Sequence, residues 1–175
     1  MTKNIFIFIA GLPGIGKTTI AKTIKSFLHP AIHIDIDDFK KQVVDPNLVS
    51  KEIDPPEIRW EYYQLAANAA IEATEAGNQY VVMEETFHLS DLREKMTEKV
   101  EASGNRVIWV HVTCDLETVK QRASKPREGH ILTQEETVAM HVEFSELFEG
   151  FPEDQQICSI DNSGALNISI GDILK

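Results

Sequence analysis

Residues 5–19 read IFIFIAGLPGIGKTT, and this stretch constrains the fold more tightly than any other. Ile5 to Ile9 is a continuous apolar run of β-branched and aromatic residues. With no polar face, it predicts a strand covered on both sides, as in a parallel sheet. Gly11 through Thr18 matches G-x-x-x-x-G-K-[ST], the phosphate-binding loop. Glycines there let backbone N–H groups approach an anion closely. The following residues predict a helix with an apolar stripe of Ile20, Ile24, Phe27 and Leu28, ending near Leu28 before Pro30. Its N-terminus would present free N–H groups and the positive end of its dipole to phosphate. The stretch therefore predicts that Gly11, Leu12, Pro13, Gly14, Ile15, Gly16, Lys17, Thr18 and Thr19 cradle a nucleoside triphosphate. Lys17 would reach the β- and γ-phosphates, and the Thr18 hydroxyl would ligate Mg²⁺.

The rest of the chain supplies a matching frame. Short apolar strands are expected at 31–34, 79–83, 106–112 and 156–160, alternating with helical patterns. This alternation predicts an α/β domain with helices on both faces of a parallel sheet. From Glu57 to Ala76 the apolar positions Ile58, Tyr62, Leu65, Ala66, Ala69 and Ala73 recur at helical spacing. Ser90 and Asp115 are expected helix caps, and Thr133-Gln134-Glu135-Glu136 spells a capping box. With 175 residues and no linker or repeat, residues 1–175 read as one domain.

Bulk properties narrow the partners. The net charge of −11 argues against a nucleic-acid track, which needs a basic face. Hydrophobic content of 42%, without an apolar run of about 18 residues, predicts a protein that does not span a membrane. The start of the chain shows no leader pattern, and Cys114 and Cys158 read as reduced thiols, so the expected location is cytoplasmic.

In parallel sheets of this kind the ligand sits beyond the carboxyl ends of the strands. Each polar cluster falls at such an end: 11–18, Asp35 to Asp38, Glu84 to Thr86, and Asp161 to Gly164. Asp35, Asp37 and Asp38 crowd four positions, and repulsion between them would be relieved by a cation. In an extended segment Asp35 and Asp37 would point the same way. One would hold Mg²⁺ and the other accept the proton of an attacking hydroxyl, and spacing leaves open which. Glu84, after Val81-Val82-Met83, is a candidate for orienting water on Mg²⁺ or for contacting substrate, whereas Glu85 alternates to the other face. The metal candidates are thus Thr18, Asp35 and Glu84. Lys120, Arg122, Lys125 and Arg127 lie within eight residues, and Pro126 and Gly129 mark a loop. A lid over about 123–133 is expected, with Arg122 and Arg127 neutralising the transferring phosphoryl group. Arg59 and Tyr62 are weaker candidates, for an acceptor contact and for core packing.

Three segments together, Gly11-Leu-Pro-Gly-Ile-Gly-Lys-Thr-Thr19, Ile34-Asp-Ile-Asp-Asp-Phe-Lys40 and Met83-Glu-Glu-Thr86, resemble the small P-loop kinases. The nearest likeness is to the zeta-toxin-like branch, with gluconate, adenylylsulfate and chloramphenicol kinases as relatives. The resemblance implies a three-layer fold with strand order 2-3-1-4-5, an Arg-bearing lid, and an adenine pocket near Asp161–Gly164. By position, Asp37 matches the acid proposed as catalytic base in that branch. Glu85 stands where the branch has Gly, and residues 41–78 match it poorly. The expected activity is ATP-dependent transfer of phosphate to a hydroxyl of a small molecule. The rival readings are a nucleotide-dependent switch or toxin-like module acting on a protein partner, and a nucleoside or polynucleotide-end kinase.

Overall fold

The computed structural model describes residues 3–44, 53–125 and 133–175. Five strands form one parallel sheet: β1 (Ile5–Ala10), β2 (Ala31–Asp35), β3 (Tyr80–Glu85), β4 (Arg106–Thr113) and β5 (Ile157–Asp161). Their order is β2-β3-β1-β4-β5, the expected one, with β1 at the centre. The helices are α1 (Lys17–Ser26), α2 (Asp37–Val43), α3 (Pro56–Glu75), α4 (Ser90–Ala102), α5 (Leu116–Ala123), α6 (Gln134–Leu147) and α7 (Ile170–Ile173). None of the described helices is long and apolar enough to cross a membrane.

The alternation in β1 divides the core into two layers. Phe6 and Phe8 face the side covered by α3 and α4, where they meet Tyr63, Met83, Phe87, Met96 and Trp109. Ile7 and Ile9 face the opposite side with Ile20 and Ile24 of α1, Val119 of α5 and Ile173 of α7. The aromatic layer is edge-to-face: ring centroids of Phe8 and Trp109 lie 4.9 Å apart, and those of Phe87 and Trp109 lie 5.0 Å apart. Each fully buried ring of this kind stabilises by roughly 1.5–3 kcal/mol through area alone.

Several local expectations shift. α1 stops at Ser26, so Phe27 lies beyond it and points to solvent, while Ile20, Ala21, Ile24 and Leu28 are buried. On α3 the buried stripe is Arg59, Tyr62, Tyr63, Ala66, Ala67 and Ala70, and Leu65 is exposed. The small Ala side chains bring the helix close to the sheet, and the price of that register is an arginine on the buried face. Asp115 caps α5 through the Thr118 N–H, and the Thr133–Glu136 capping box is formed. Ser90 does not cap α4. Instead the Glu149 carboxylate accepts from both the Ser90 N–H and its hydroxyl, serving the free N–H end of that helix from a distant segment.

Candidate active site

The phosphate-binding loop turns sharply out of β1. Gly16 sits at φ 92°, in the left-handed region, and a Cβ there would lie 2.8 Å from Asn162 Nδ2. A Cβ on Gly11 would lie 2.6 Å from the Val112 carbonyl oxygen, so the first glycine is demanded by β4. The Gly11 N–H donates to the Thr86 carbonyl, fastening the loop to the end of β3.

Side chains hold the loop's carbonyls in place. His141 Nδ1 lies 2.9 Å from the Pro13 oxygen, and a carbonyl can only accept, so that nitrogen carries the proton. Asn162 Nδ2 donates to the Ile15 oxygen at 2.7 Å, and Arg122 donates to the same oxygen and to the Asn162 carbonyl. Lys17 arches back and its Nζ donates to the Leu12 oxygen at 3.0 Å. Carbonyls held from outside in this way leave the interior of the loop to N–H groups, as an anion requires.

The carboxylates gather beside this cradle. Thr18 Oγ1 donates to Glu84 Oε2 at 3.0 Å, joining the first turn of α1 to the end of β3. His33 Nε2 lies 2.8 Å from the other oxygen of Glu84. Asp35 pairs in register with Glu84 across β2 and β3. Burial and the neighbouring Glu84 and Asp38 charges push the Asp35 carboxyl above its usual range. The sequence expectation that Asp35 and Asp37 share a strand face does not hold, because α2 begins at Asp37. Asp35 instead accepts the Asp37 N–H at 3.0 Å. Asp37 is open to solvent on one side. Removal of water by the surrounding protein, then repulsion from Glu85 and Asp35, push its carboxyl up to about 6, while Lys17 and Lys40 pull it back. Lys17, Thr18, Asp35, Asp37 and Glu84 therefore share one locality.

The donor set suits Mg²⁺. A hydroxyl and two carboxylates are hard oxygen ligands, and Mg²⁺ is bound through few protein groups, completing its shell with water and phosphate oxygens. The mutual repulsion that raises Asp35 is the kind a cation relieves.

Arg122 sits against the loop and the turn after β5, at the expected end of the sheet, tied to backbone carbonyls. Lys120 pairs with Glu117. Arg127, and most of the expected lid over 123–133, lie outside the described residues.

Glu85 faces away from Glu84, as strand alternation predicts, and meets α3. Its Oε1 accepts from Arg59 at 3.1 Å, and its Oε2 accepts from the Tyr63 hydroxyl at 2.9 Å and the Phe87 N–H at 2.8 Å. Burial alone would raise this carboxyl, but Arg59 and the Phe87 N–H outweigh it and hold it below its usual value. The same carboxylate steadies Phe87, which adopts φ 51°, a left-handed conformation costly for a bulky residue. Arg59 also lies over the Phe144 ring, and Lys40 pairs with Asp54 nearby. His33 and His141 are contacts that the sequence reading lacks; Asn162 lies within the expected Asp161–Gly164 turn, and Glu85 is expected there only as facing away from Glu84. A signal existed for His33, two residues before Asp35 on the same strand face.

A family model described as an AAA domain matches residues 6–146. No curated protein matches the sequence. Among solved structures, the chain is similar to a gluconokinase from Sinorhizobium meliloti, at 15% identity over 99% of this chain and 89% of that one, with a TM-score of 0.65. It is also similar to a sugar kinase from Janibacter sp., at 20% identity over 92% and 86% of the two chains, with a TM-score of 0.69. An APS kinase from Mycobacterium tuberculosis, solved in complex with AMPPNP and APS, matches at 14% identity over 83% and 99%, with a TM-score of 0.55.

Proposed function

The chain belongs to this AAA-domain family and has the P-loop kinase fold, and from that premise we propose that it is an ATP-dependent kinase transferring the γ-phosphoryl group to a hydroxyl of a small molecule. The observation that carries the reading is the Thr18–Glu84 hydrogen bond, which joins the phosphate loop to a carboxylate pair beside Asp37. In the reaction the acceptor oxygen forms a bond to the γ-phosphorus, the bond from that phosphorus to the β–γ bridging oxygen breaks, and ADP leaves. Asp37 orients the acceptor hydroxyl and takes its proton. A carboxylate raised to about 6 is ionised near neutral pH yet basic enough for that task. Lys17 and the loop N–H groups hold the β- and γ-phosphates. Thr18, Asp35 and Glu84 would hold Mg²⁺, which supplies charge neutralisation at the phosphate oxygens. Arg127 would neutralise the equatorial oxygens, with the segment around 123–133 closing to exclude water, while Arg122, tied to the Ile15 and Asn162 carbonyls, would brace the loop and reach the phosphates only by releasing them. The turn at Asp161–Gly164 would flank the adenine. Work in the cytoplasm belongs to the same proposal.

Two variants test the assignment. Asp37→Asn should keep Mg-ATP affinity within about threefold and lose transfer by about 10²–10⁴-fold. Lys17→Ala should weaken nucleotide binding and lose transfer together. Calorimetry with Mg-ATP, and ADP release across a panel of sugars, nucleosides and other hydroxylated metabolites, give the two readouts. Unchanged turnover in Asp37→Asn removes the base assignment, and no uptake of Mg-ATP by the unaltered protein removes the kinase reading.

A further inference from the structure

Glu84 is a buried carboxylate at the mouth of the cradle, 3% exposed, and both of its oxygens are engaged. One accepts from Thr18 Oγ1 and the other meets His33 Nε2. With the imidazole as donor through Nε2–H, Glu84 accepts at both oxygens. The parallel register explains the meeting. His33 stands opposite Val82 and Asp35 opposite Glu84, and His33 and Asp35 share one face of β2. Glu84 thus lies between a like charge at Asp35 and a donor at His33. Without the donor, repulsion from Asp35 would favour rotation of Glu84 away from Thr18, and the three oxygen groups would no longer converge.

Building on the kinase reading, we infer that His33 is a positioning residue, holding Glu84 in the orientation in which Glu84, Asp35 and the Thr18 hydroxyl together receive a divalent cation. His33 acts by fixing the rotamer of a carboxylate, as outer-shell donors do for metal ligands, where their loss costs about 10–100-fold in metal affinity. The loop's own hold on the phosphates does not depend on it.

The test is a Mn²⁺ titration of the protein complexed with a non-hydrolysable ATP analogue, read by electron paramagnetic resonance, beside calorimetry of the analogue with all metal chelated. His33→Ala and His33→Phe both remove the donor, and the second preserves ring volume should the first fail to fold. His33→Gln keeps an N–H donor at similar reach. The expected result is Mn²⁺ affinity lower by about 10–100-fold in the Ala and Phe variants and restored to within about threefold by Gln. Metal-free analogue affinity should stay within about threefold throughout. Unaltered Mn²⁺ affinity in the donor-less variants, or equal losses in Gln and Phe, would overturn the inference while leaving the kinase reading standing. An unaltered protein that binds no Mn²⁺–nucleotide would overturn the kinase reading itself.

Discussion

The phosphate cradle and the wall formed by α3 are neighbours, with Lys17 and Asp37 within electrostatic reach of Glu85, and they are built by opposite means. The cradle is local. It is eight residues of glycine-rich backbone, and side chains from elsewhere only hold its carbonyls. The wall is a set of long-range pairs, Arg59 with Glu85 and Lys40 with Asp54, buried or half-buried and satisfied by one another. Backbone geometry leaves a spacing rule in the sequence, because only certain residues permit it. A side-chain pair leaves none, since its members can sit anywhere that the fold later brings together. The cradle should therefore fail in binding when altered, and the wall should fail in stability.

The largest expected effect belongs to the wall. Glu85→Ala leaves Arg59 buried without its counter-charge and frees the Phe87 N–H and the Tyr63 hydroxyl. Breaking a buried pair from one side costs about 3–5 kcal/mol. Adding Arg59→Met removes the orphaned charge and should recover much of that loss. Urea denaturation of the two single variants and the double measures it. A Glu85→Ala protein of undiminished stability that has lost transfer would break the comparison and place Glu85 against the acceptor.

A somewhat smaller effect should appear at acid pH. Burial and the nearby Arg59 charge lower His88 to about 4, and its buried Nδ1 meets no hydrogen-bond partner among the described residues. A histidine depressed in the fold is protonated first in the unfolded chain. Its contribution is fully present above the unfolded value of about 6.5 and is lost as pH falls towards 4, by up to about 3 kcal/mol. Asp37, raised in the fold, acts in the opposite sense over a similar window. Subtracting the stability curve of His88→Phe, whose ring would keep the edge contact to Phe144, cancels the Asp37 contribution. The difference should be flat above about pH 7 and grow below it. A flat difference down to pH 4 would show that His88 meets enough solvent to be protonated freely.

What the sequence disclosed follows the same division. The parallel sheet, the loop and the carboxylates at the strand ends are legible because strand alternation and loop glycines are local signals, whereas the strand order follows only from the resemblance to the small P-loop kinases. Of the expected α3 stripe, Tyr62 and Ala66 are buried and Ile58 packs against the core, but Leu65 is exposed, and Arg59, Tyr63, Ala67 and Ala70 complete the buried face. The spacing 59, 62, 63, 66, 67, 70 was available, but a charged residue at its head counted against it. The counter-charge that makes Arg59 tolerable in the interior is Glu85, and that pairing spans 26 residues. The cap on α4 was misplaced for a similar reason, since Glu149 arrives from beyond α6.

The smallest effect probes the border between the two regions. His141 comes from α6, the helix that follows the expected lid, and its Nδ1–H binds the Pro13 carbonyl of the cradle. His141→Leu would leave that carbonyl free to turn inward, where it would face phosphate oxygens instead of supporting the N–H groups aimed at them. His141→Asn places an amide nitrogen close to where Nδ1 stands and should preserve the contact. A net hydrogen bond is worth about 0.5–1.5 kcal/mol, so Mg-ATP affinity should fall about 2–10-fold in the Leu variant and recover in Asn. The unfolding midpoint should barely move, because an apolar side chain of similar bulk refills the space of the ring. Because the cradle is a working surface and the wall a scaffold, His141→Leu and Glu85→Ala should show opposite patterns, the first in affinity and the second in stability. If His141→Leu instead lowers stability and leaves affinity untouched, α6 belongs with the wall, and the cradle keeps its shape through Asn162 and Arg122 alone.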